Sequence, residues 1–211
     1  MQHQILQSRS MLRVDLLPHE TLLAAPGALI GMSPNIQRET LPAIITKQHM
    51  PFVVEQYQAR GASSHIELAS VVPGPILHLP MSPGKQWLVN ANAWLASANT
   101  VESDASWGGA HGFFPEHGPL LLKVEGTGPL FVGAASAFHV IEVRGEHSIF
   151  GSALVAFEGG LQYEIKRSFE SGAHQARLYH FSGRGRVLVQ NQPLGALARW
   201  AEPFMEQRRW T

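Results

Sequence analysis

The chain has 211 residues, enough for a β domain with a substantial core, and its lack of cysteine excludes a disulfide framework, a thiolate metal site and a cysteine nucleophile. Sixteen Lys and Arg balance sixteen Asp and Glu, so no overall field attracts phosphate backbones, which disfavours nucleic acid as a partner. Twenty glycines and fourteen prolines, with only 15% charged residues, indicate a turn-rich β protein.

The first third of the chain reads as short strands separated by turns. Strands are predicted over 5–9 and 11–17, and in the second of these Leu12, Val14 and Leu16 share one face. A hairpin is predicted around Pro26-Gly27, because glycine accepts the positive φ of a tight turn. The N-terminal residues have no apolar stretch behind a basic start, and no apolar run reaches the length of a membrane span, so we expect a cytoplasmic protein.

The remainder continues in the same way to a predicted C-terminal helix. Strands are expected over 52–58 and 65–72 and then, after residue 76, in the same strand–turn–strand pattern. Residues 168–175 are predicted to be a loop, and 176–191 a closing hairpin across Gly183-Arg184-Gly185. Pro193 begins a helical pattern, followed by a basic, aromatic tail to residue 211. We expect one β domain over the whole chain.

A loop between Ser106 and His117 is the candidate interaction site. Its distinctive side chains are Trp107, His111, Phe113, Phe114 and His117. Aromatic residues beside glycines can cover the protein's own core, contact another subunit, or enter a membrane interface. We favour the core or a subunit, with peripheral membrane contact or a ligand as the alternative. Liposome co-sedimentation of a Phe113→Ser/Phe114→Ser variant separates these possibilities.

The sequence also contains an internal repeat. PHETLLAAPGALIGMS, PGKQWLVNANAWLASA and GEHSIFGSALVAFEGG align when Leu22 is matched with Trp87 and Ile149. Since one hairpin cannot bury its own apolar face, three such modules are expected to share a core around a pseudo-threefold axis. The predicted modules span about 3–45, 51–105 and 118–167. Five glycines are predicted to form the structural turns: Gly27, Gly126, Gly128, Gly183 and Gly185.

Several groups of residues in the sequence are candidates for a metal site or a catalytic site. A cupin-type metal site requires two histidines one residue apart, and the chain has no His-x-His. Histidines at 78, 139 and 180 fall on predicted strands, so a cupin-like small-molecule or metal-binding protein is the alternative function. No serine lies in a G-x-S-x-G elbow, and the paired glycines lack the helix and lysine of a phosphate loop. We therefore expect no catalytic residues, metal or cofactor.

Ordered sequence blocks point to a family. GALIGMSPNIQRET, QARG, WLVNANAWLASANTVESD, LLLKVEGTGPLFV and ALVAFEGGLQYEIKR resemble successive blocks of the altered inheritance of mitochondria protein 24 family, over roughly Met11 to Trp200. The resemblance implies a β fold similar to the tryptophan RNA-binding attenuation protein (TRAP-like) and to double-stranded β-helices. The Gly-rich segment typical of the family before the LLLKVEGTG block is replaced here by WGGAHGFFPEHG.

The resemblance shapes the expected function as well. Family members are thought to be oligomers, for which we expect a homotrimer, and mitochondrial members are linked to inner-membrane organisation. No catalytic residue is carried over. We therefore predict a non-enzymatic oligomeric β scaffold that acts through protein partners or at a membrane surface. An RNA-binding ring rests on fold analogy alone and is opposed by the neutral charge.

Overall fold

The computed structural model describes residues 1–6, 10–45, 51–104, 121–169 and 175–192. The predicted all-β class is confirmed, since these residues form seventeen strands and a single 3₁₀ turn, Gly151–Ala153. The first seven strands are β1 (Gln2–Ile5), β2 (Met11–Leu16), β3 (Thr21–Ala24), β4 (Leu29–Met32), β5 (Ile36–Ile45), β6 (Pro51–Ala59) and β7 (Ser64–Ala69). The predicted helix from Pro193 and the tail to residue 211 lie outside the described residues.

Ten further strands complete the described part of the chain. They are β8 (Ile76–Met81), β9 (Gln86–Asn90), β10 (Trp94–Ala98), β11 (Val101–Asp104), β12 (Leu121–Gly126), β13 (Gly128–Gly133), β14 (Phe138–Phe150), β15 (Leu154–Glu158), β16 (Gln162–Phe169) and β17 (Gln175–Gln190). The first strand, predicted over 5–9, begins earlier, because β1 runs from Gln2 to Ile5 and pairs with β2, and residues 7–9 lie outside the described residues. At the two ends of the loop predicted over 168–175, residues 168, 169 and 175 belong to β16 and β17, and 170–174 lie outside the described residues.

The strands form three antiparallel sheets. Their orders are β1-β2-β7-β4, then β5-β6-β3-β10-β13-β8, and then β11-β12-β9-β15-β17-β14, with β16 also paired to β17. Four pairs are formed by strands consecutive in sequence: β1 with β2, β5 with β6, β11 with β12, and β16 with β17. Most other connections carry the chain from one sheet to another.

Two predicted hairpins are therefore corners or bends instead. The turn at Pro26-Gly27 exists, but it joins β3, which pairs with β6 and β10, to β4, which pairs with β7. The closing hairpin over 176–191 is one strand, β17, which pairs with β14 along residues 178–190. A turn-rich sequence predicts a change of direction at such glycines, but it does not specify whether the chain returns to the same sheet.

The apolar faces of the strands bury three neighbouring core clusters. In β2, Leu12, Val14 and Leu16 point inward, as the alternation predicts. The first cluster surrounds Tyr57 and Ile66, the second surrounds Trp87 and Leu122, and the third contains Phe157, Tyr179 and Phe181. The expected single shared core is thus divided into three parts among the described residues.

Candidate interaction surface

The predicted interaction loop lies outside the described residues. Trp107, His111, Phe113, Phe114 and His117 all fall in 105–120, the segment that connects β11 to β12. Its assignment as a subunit, core or membrane contact remains a prediction. The described residues provide the other candidates for a site.

Four of the five predicted turn glycines adopt positive φ. Gly27 has φ of 79°, Gly126 of 123°, Gly128 of 132° and Gly183 of 110°. At Gly126, a Cβ atom would overlap the carbonyl oxygen of Thr100. Gly185 is different, because it has no left-handed φ and is required by packing: a Cβ there would lie 2.9 Å from Leu161 Cγ. These glycines shape corners and bends and bring no ligand-binding group together.

The three histidines of the alternative metal site are far apart. His78 lies on β8, in the six-stranded sheet, opposite Phe131. His139 is exposed and pairs with Val189, whereas His180 pairs with Ser148, nine residues away along β17. Among the described residues, no group of three or more His, Asp or Glu side chains is positioned to bind a metal ion. The described strands therefore do not bring these three imidazoles to one point.

A different pair of histidines does come together. The rings of His3, on β1, and His78 have centroids 4.3 Å apart, and both contact the ring of Phe131 at 5.0 and 5.3 Å. Burial lowers the pKa of His78, and the nearby His3 and Lys85 lower it further. Burial also lowers the pKa of His3. The pair favours two neutral imidazoles that pack β1 against β8, and nothing in the sequence spacing predicts it.

A buried carboxylate lies at the junction of β5 and β6. Glu55 is 4% exposed, and it accepts hydrogen bonds from the Tyr57 hydroxyl through Oε2 and from the Arg38 guanidinium through Oε1. Burial and the hydrogen bond to Glu55 raise the pKa of Tyr57 far above its usual value. The tyrosine is thus kept protonated as a donor. The alternation of Glu55 and Tyr57 on one strand face is the sequence signal that could have suggested this cluster.

A serine, a histidine and a glutamate also meet at the exposed end of β14. Ser148 Oγ lies 2.8 Å from His180 Nδ1, and Glu146 Oε2 lies 3.9 Å from His180 Nε2. The set resembles a hydrolytic triad in residue types only. The serine is on an open strand without a nucleophile elbow, and the Glu146 side chain is 77% exposed. Cross-strand pairing explains the contact, because Ser148 is directly opposite His180.

Two exposed sheet edges are the most distinctive surface of the described residues. β4 ends the four-stranded sheet and pairs only with β7, and residues 145–150 of β14 pair only with β17. Both edge strands carry exposed large apolar side chains, which are Ile30 and Met32 on β4 and Phe150 on β14. Such edges can accept another strand through their free backbone groups.

Comparison with known proteins supports the fold and assigns a family. The model of the mitochondrial biogenesis AIM24 family matches residues 3–192. The crystal structure of protein SPYM3_0169 from Streptococcus pyogenes is similar, with a TM-score of 0.81 and 19% identity, over 97% of this chain and 99% of that one. No curated protein matches the chain, and no helix in the described residues is long and apolar enough to cross a membrane. The suspected family is confirmed, and the chain belongs to the mitochondrial biogenesis AIM24 family.

Proposed function

We propose that the protein is a non-enzymatic β scaffold, built from three equivalent units, that assembles with copies of itself and acts through protein partners. The observation that carries the proposal is a strand-pairing scheme that recurs three times along the chain. The proposed units are 11–69, 76–133 and 138–190, which shifts the modules expected from sequence. Such units correspond to the pseudo-threefold arrangement expected from the sequence repeat and to the TRAP-like fold implied by the family resemblance.

Within each proposed unit, six strands pair in the same way. The first strand pairs with the sixth, the sixth with the third, the second with the fifth and the fifth with the fourth. In the first unit these pairs are β2 with β7, β7 with β4, β3 with β6 and β6 with β5. In the second they are β8 with β13, β13 with β10, β9 with β12 and β12 with β11. In the third, β14 and β17 are each long enough to supply two strands.

The register of the strands supports the same equivalence. Residues that match between units are each ten positions apart: Leu12 and Leu22, Leu77 and Trp87, and His139 and Ile149. The third strand of every unit also has one irregularity in its pairing, at Leu29/Gly31, Trp94/Ala96 and Leu154/Ala156. A one-residue bulge at the same position in all three units supports their equivalence, because bulges fix the register and the twist of a strand.

Self-assembly is supported by the strand edges that remain unpaired at the ends of the chain of proposed units. β3 of the first unit pairs with β10 of the second, and β9 of the second pairs with β15 of the third, so units join through sheet edges. The corresponding edges of the first and third units, β4 and residues 145–150 of β14, do not pair with a strand of another unit among the described residues. Both carry exposed apolar side chains. We propose a homotrimer in the cytoplasm, a reducing compartment with which the cysteine-free sequence is compatible.

Light scattering coupled to size-exclusion chromatography tests this function. At micromolar concentration the expected mass is a multiple of the 23.1 kDa chain, with three copies favoured. A mass of one chain over the whole concentration range would contradict a self-assembling scaffold. An affinity-purified oligomer should also retain protein partners, and it should retain them at a fixed ratio to the scaffold.

A further inference from the structure

We propose that the β4 edge of one copy pairs with the edge formed by residues 145–150 of a second copy, and that Met32 and Phe150 face each other across this contact. The proposal rests on the scaffold function above and identifies the surface through which it assembles. The proposed binding partner of both open edges is another copy of this chain.

The template for the contact exists twice within the chain. At each internal junction, the third strand of one unit pairs antiparallel with the second strand of the preceding unit. At the first junction, Ala96 is opposite Ala24 and Ser97 is opposite Leu23. At the second, Ala156 is opposite Val89 and Phe157 is opposite Leu88. The two strands that would form a third junction are β4, from the first unit, and residues 145–150, from the third.

Equivalence between units gives the register of the proposed pair. The residue two positions after the start of the bulge is Gly31, Ala96 or Ala156, and the next residue is Met32, Ser97 or Phe157. On the second strand, Leu22, Trp87 and Ile149 are equivalent, so the following residues, Leu23, Leu88 and Phe150, are equivalent too. Since Ser97 faces Leu23 and Phe157 faces Leu88, the same geometry sets Met32 opposite Phe150.

Burial distinguishes the occupied junction from the open edges. Phe157 is 0% exposed and Leu88 is 3% exposed, because each strand of that junction covers the other. Their equivalents, Met32 and Phe150, are each 41% exposed. Two large apolar side chains are thus present at the positions where the chain buries such a pair elsewhere. Burying them removes apolar surface from water, and strand pairing satisfies the free backbone groups of both edges.

A second copy fits these edges because each copy carries one edge of each kind. The described contacts include no pairing of β4 with β14 inside the chain, so both edges remain available. Pairing unlike edges joins copies head to tail, and a closed ring then leaves neither of these two edges open. The contact has few charges to neutralise: β4 has none, and the facing edge carries only Glu146 beside His147.

Disulfide cross-linking tests the pairing directly, because the chain has no cysteine of its own. Directly opposed residues in antiparallel strands have Cα atoms about 4.5–5.5 Å apart, within the range of about 4.4–6.8 Å that a disulfide spans. Full-length Met32→Cys and Phe150→Cys proteins are mixed, allowed to exchange and oxidised. Val71→Cys mixed with Phe150→Cys is the matched control, since Val71 is 69% exposed and lies on neither edge.

The expected result is a covalent heterodimer of the Met32→Cys and Phe150→Cys chains, at several-fold higher yield than in the Val71→Cys control. Equal yields would overturn the proposal. A Met32→Cys/Phe150→Cys double variant that cross-links only within the monomer would overturn it too, because the edges would then close inside one chain. If light scattering shows an oligomer but the heterodimer does not form, the scaffold function stands and this interface is wrong.

Discussion

At the scale of single residues, the cluster around the buried Glu55 side chain links two neighbouring strands. The two oxygens of the Glu55 carboxylate accept hydrogen bonds from Tyr57, on the same strand β6, and from Arg38, on β5. A buried carboxyl group needs such donors to replace the hydrogen bonds with water that it loses on folding. The cluster therefore couples β5 to β6 through side chains as well as through the backbone. It lies next to β3, the strand that forms the first junction between the proposed units.

Removing the tyrosine donor should destabilise the protein. Tyr57→Phe leaves one oxygen of the buried Glu55 carboxylate without its partner, and we expect a loss of roughly 1.5–3 kcal/mol in the free energy of unfolding. Urea denaturation followed by tryptophan fluorescence measures it. Tyr179→Phe is the control, because Tyr179 is equally buried but packs against the rings of Tyr163 and Phe181. Equal losses in both variants would contradict the role of the carboxylate.

The His3–His78 pair should make stability fall in mild acid. Burial lowers the pKa of both imidazoles in the folded chain relative to the unfolded value of about 6.5. The unfolded chain therefore binds protons first as the pH falls, so the contribution is complete above the unfolded pKa and is lost below it. Thermal melts between neutral and mildly acidic pH should show a smaller decrease in Tm for His78→Gln than for the wild type. The exposed His139→Gln is the control, and an unchanged pH dependence in His78→Gln would refute the assignment.

At the scale of secondary structure elements, glycine-containing corners decide which sheet each strand joins. Gly126 and Gly128 flank Thr127, where the chain leaves β12, paired with β9 and β11, and enters β13, paired with β8 and β10. The positive φ at both positions turns the strand without a loop. Such corners let the six short strands of one proposed unit contribute to two different sheets.

Alanine at two of these glycines should have unequal effects. Gly126→Ala combines an unfavourable φ with an overlap against the Thr100 backbone, and we expect a loss of at least about 3 kcal/mol. Gly27→Ala has a positive φ but open space around the new Cβ, which limits the loss to about 1–2 kcal/mol. Urea midpoints of the two variants compare them. A Gly27→Ala protein at least as unstable as Gly126→Ala would show that φ alone sets the cost.

The sequence predicts elements better than connections, for a physical reason. Alternating apolar residues identified most strands, and the match of Leu22 with Trp87 and Ile149 agrees with the ten-residue spacing from the first strand of each proposed unit. Glycine between two apolar runs, however, is compatible with either a hairpin or a corner, since both need the same positive φ. The choice depends on which faces are buried together, and that is a property of the assembled sheets. The His3–His78 contact was missed because it joins residues far apart in sequence.

At the scale of the whole molecule, the two open edges are the surfaces through which the proposed scaffold would contact other chains. Exposed edges with apolar side chains promote uncontrolled association unless a specific partner covers them. β4, which reads Leu-Ile-Gly-Met, has no charged side chain to protect its edge, and its protection is limited to its short length and the bulge at Leu29/Gly31. Selection of one partner strand therefore has to come from register and from the shape of the facing side chains.

Stability should consequently depend on protein concentration. Assembly stabilises the folded chain by mass action, so the Tm of the wild type should rise with protein concentration. The free energy of unfolding should increase by up to about 1.4 kcal/mol for each tenfold increase in concentration. Phe150→Glu introduces a charge at an exposed edge position, which leaves the monomer folded but opposes burial at the contact. Its Tm should be independent of concentration, whereas Val71→Glu should behave like the wild type. Differential scanning fluorimetry over a hundredfold dilution series measures this, and a Phe150→Glu protein with the wild-type slope would show that this edge takes no part in assembly.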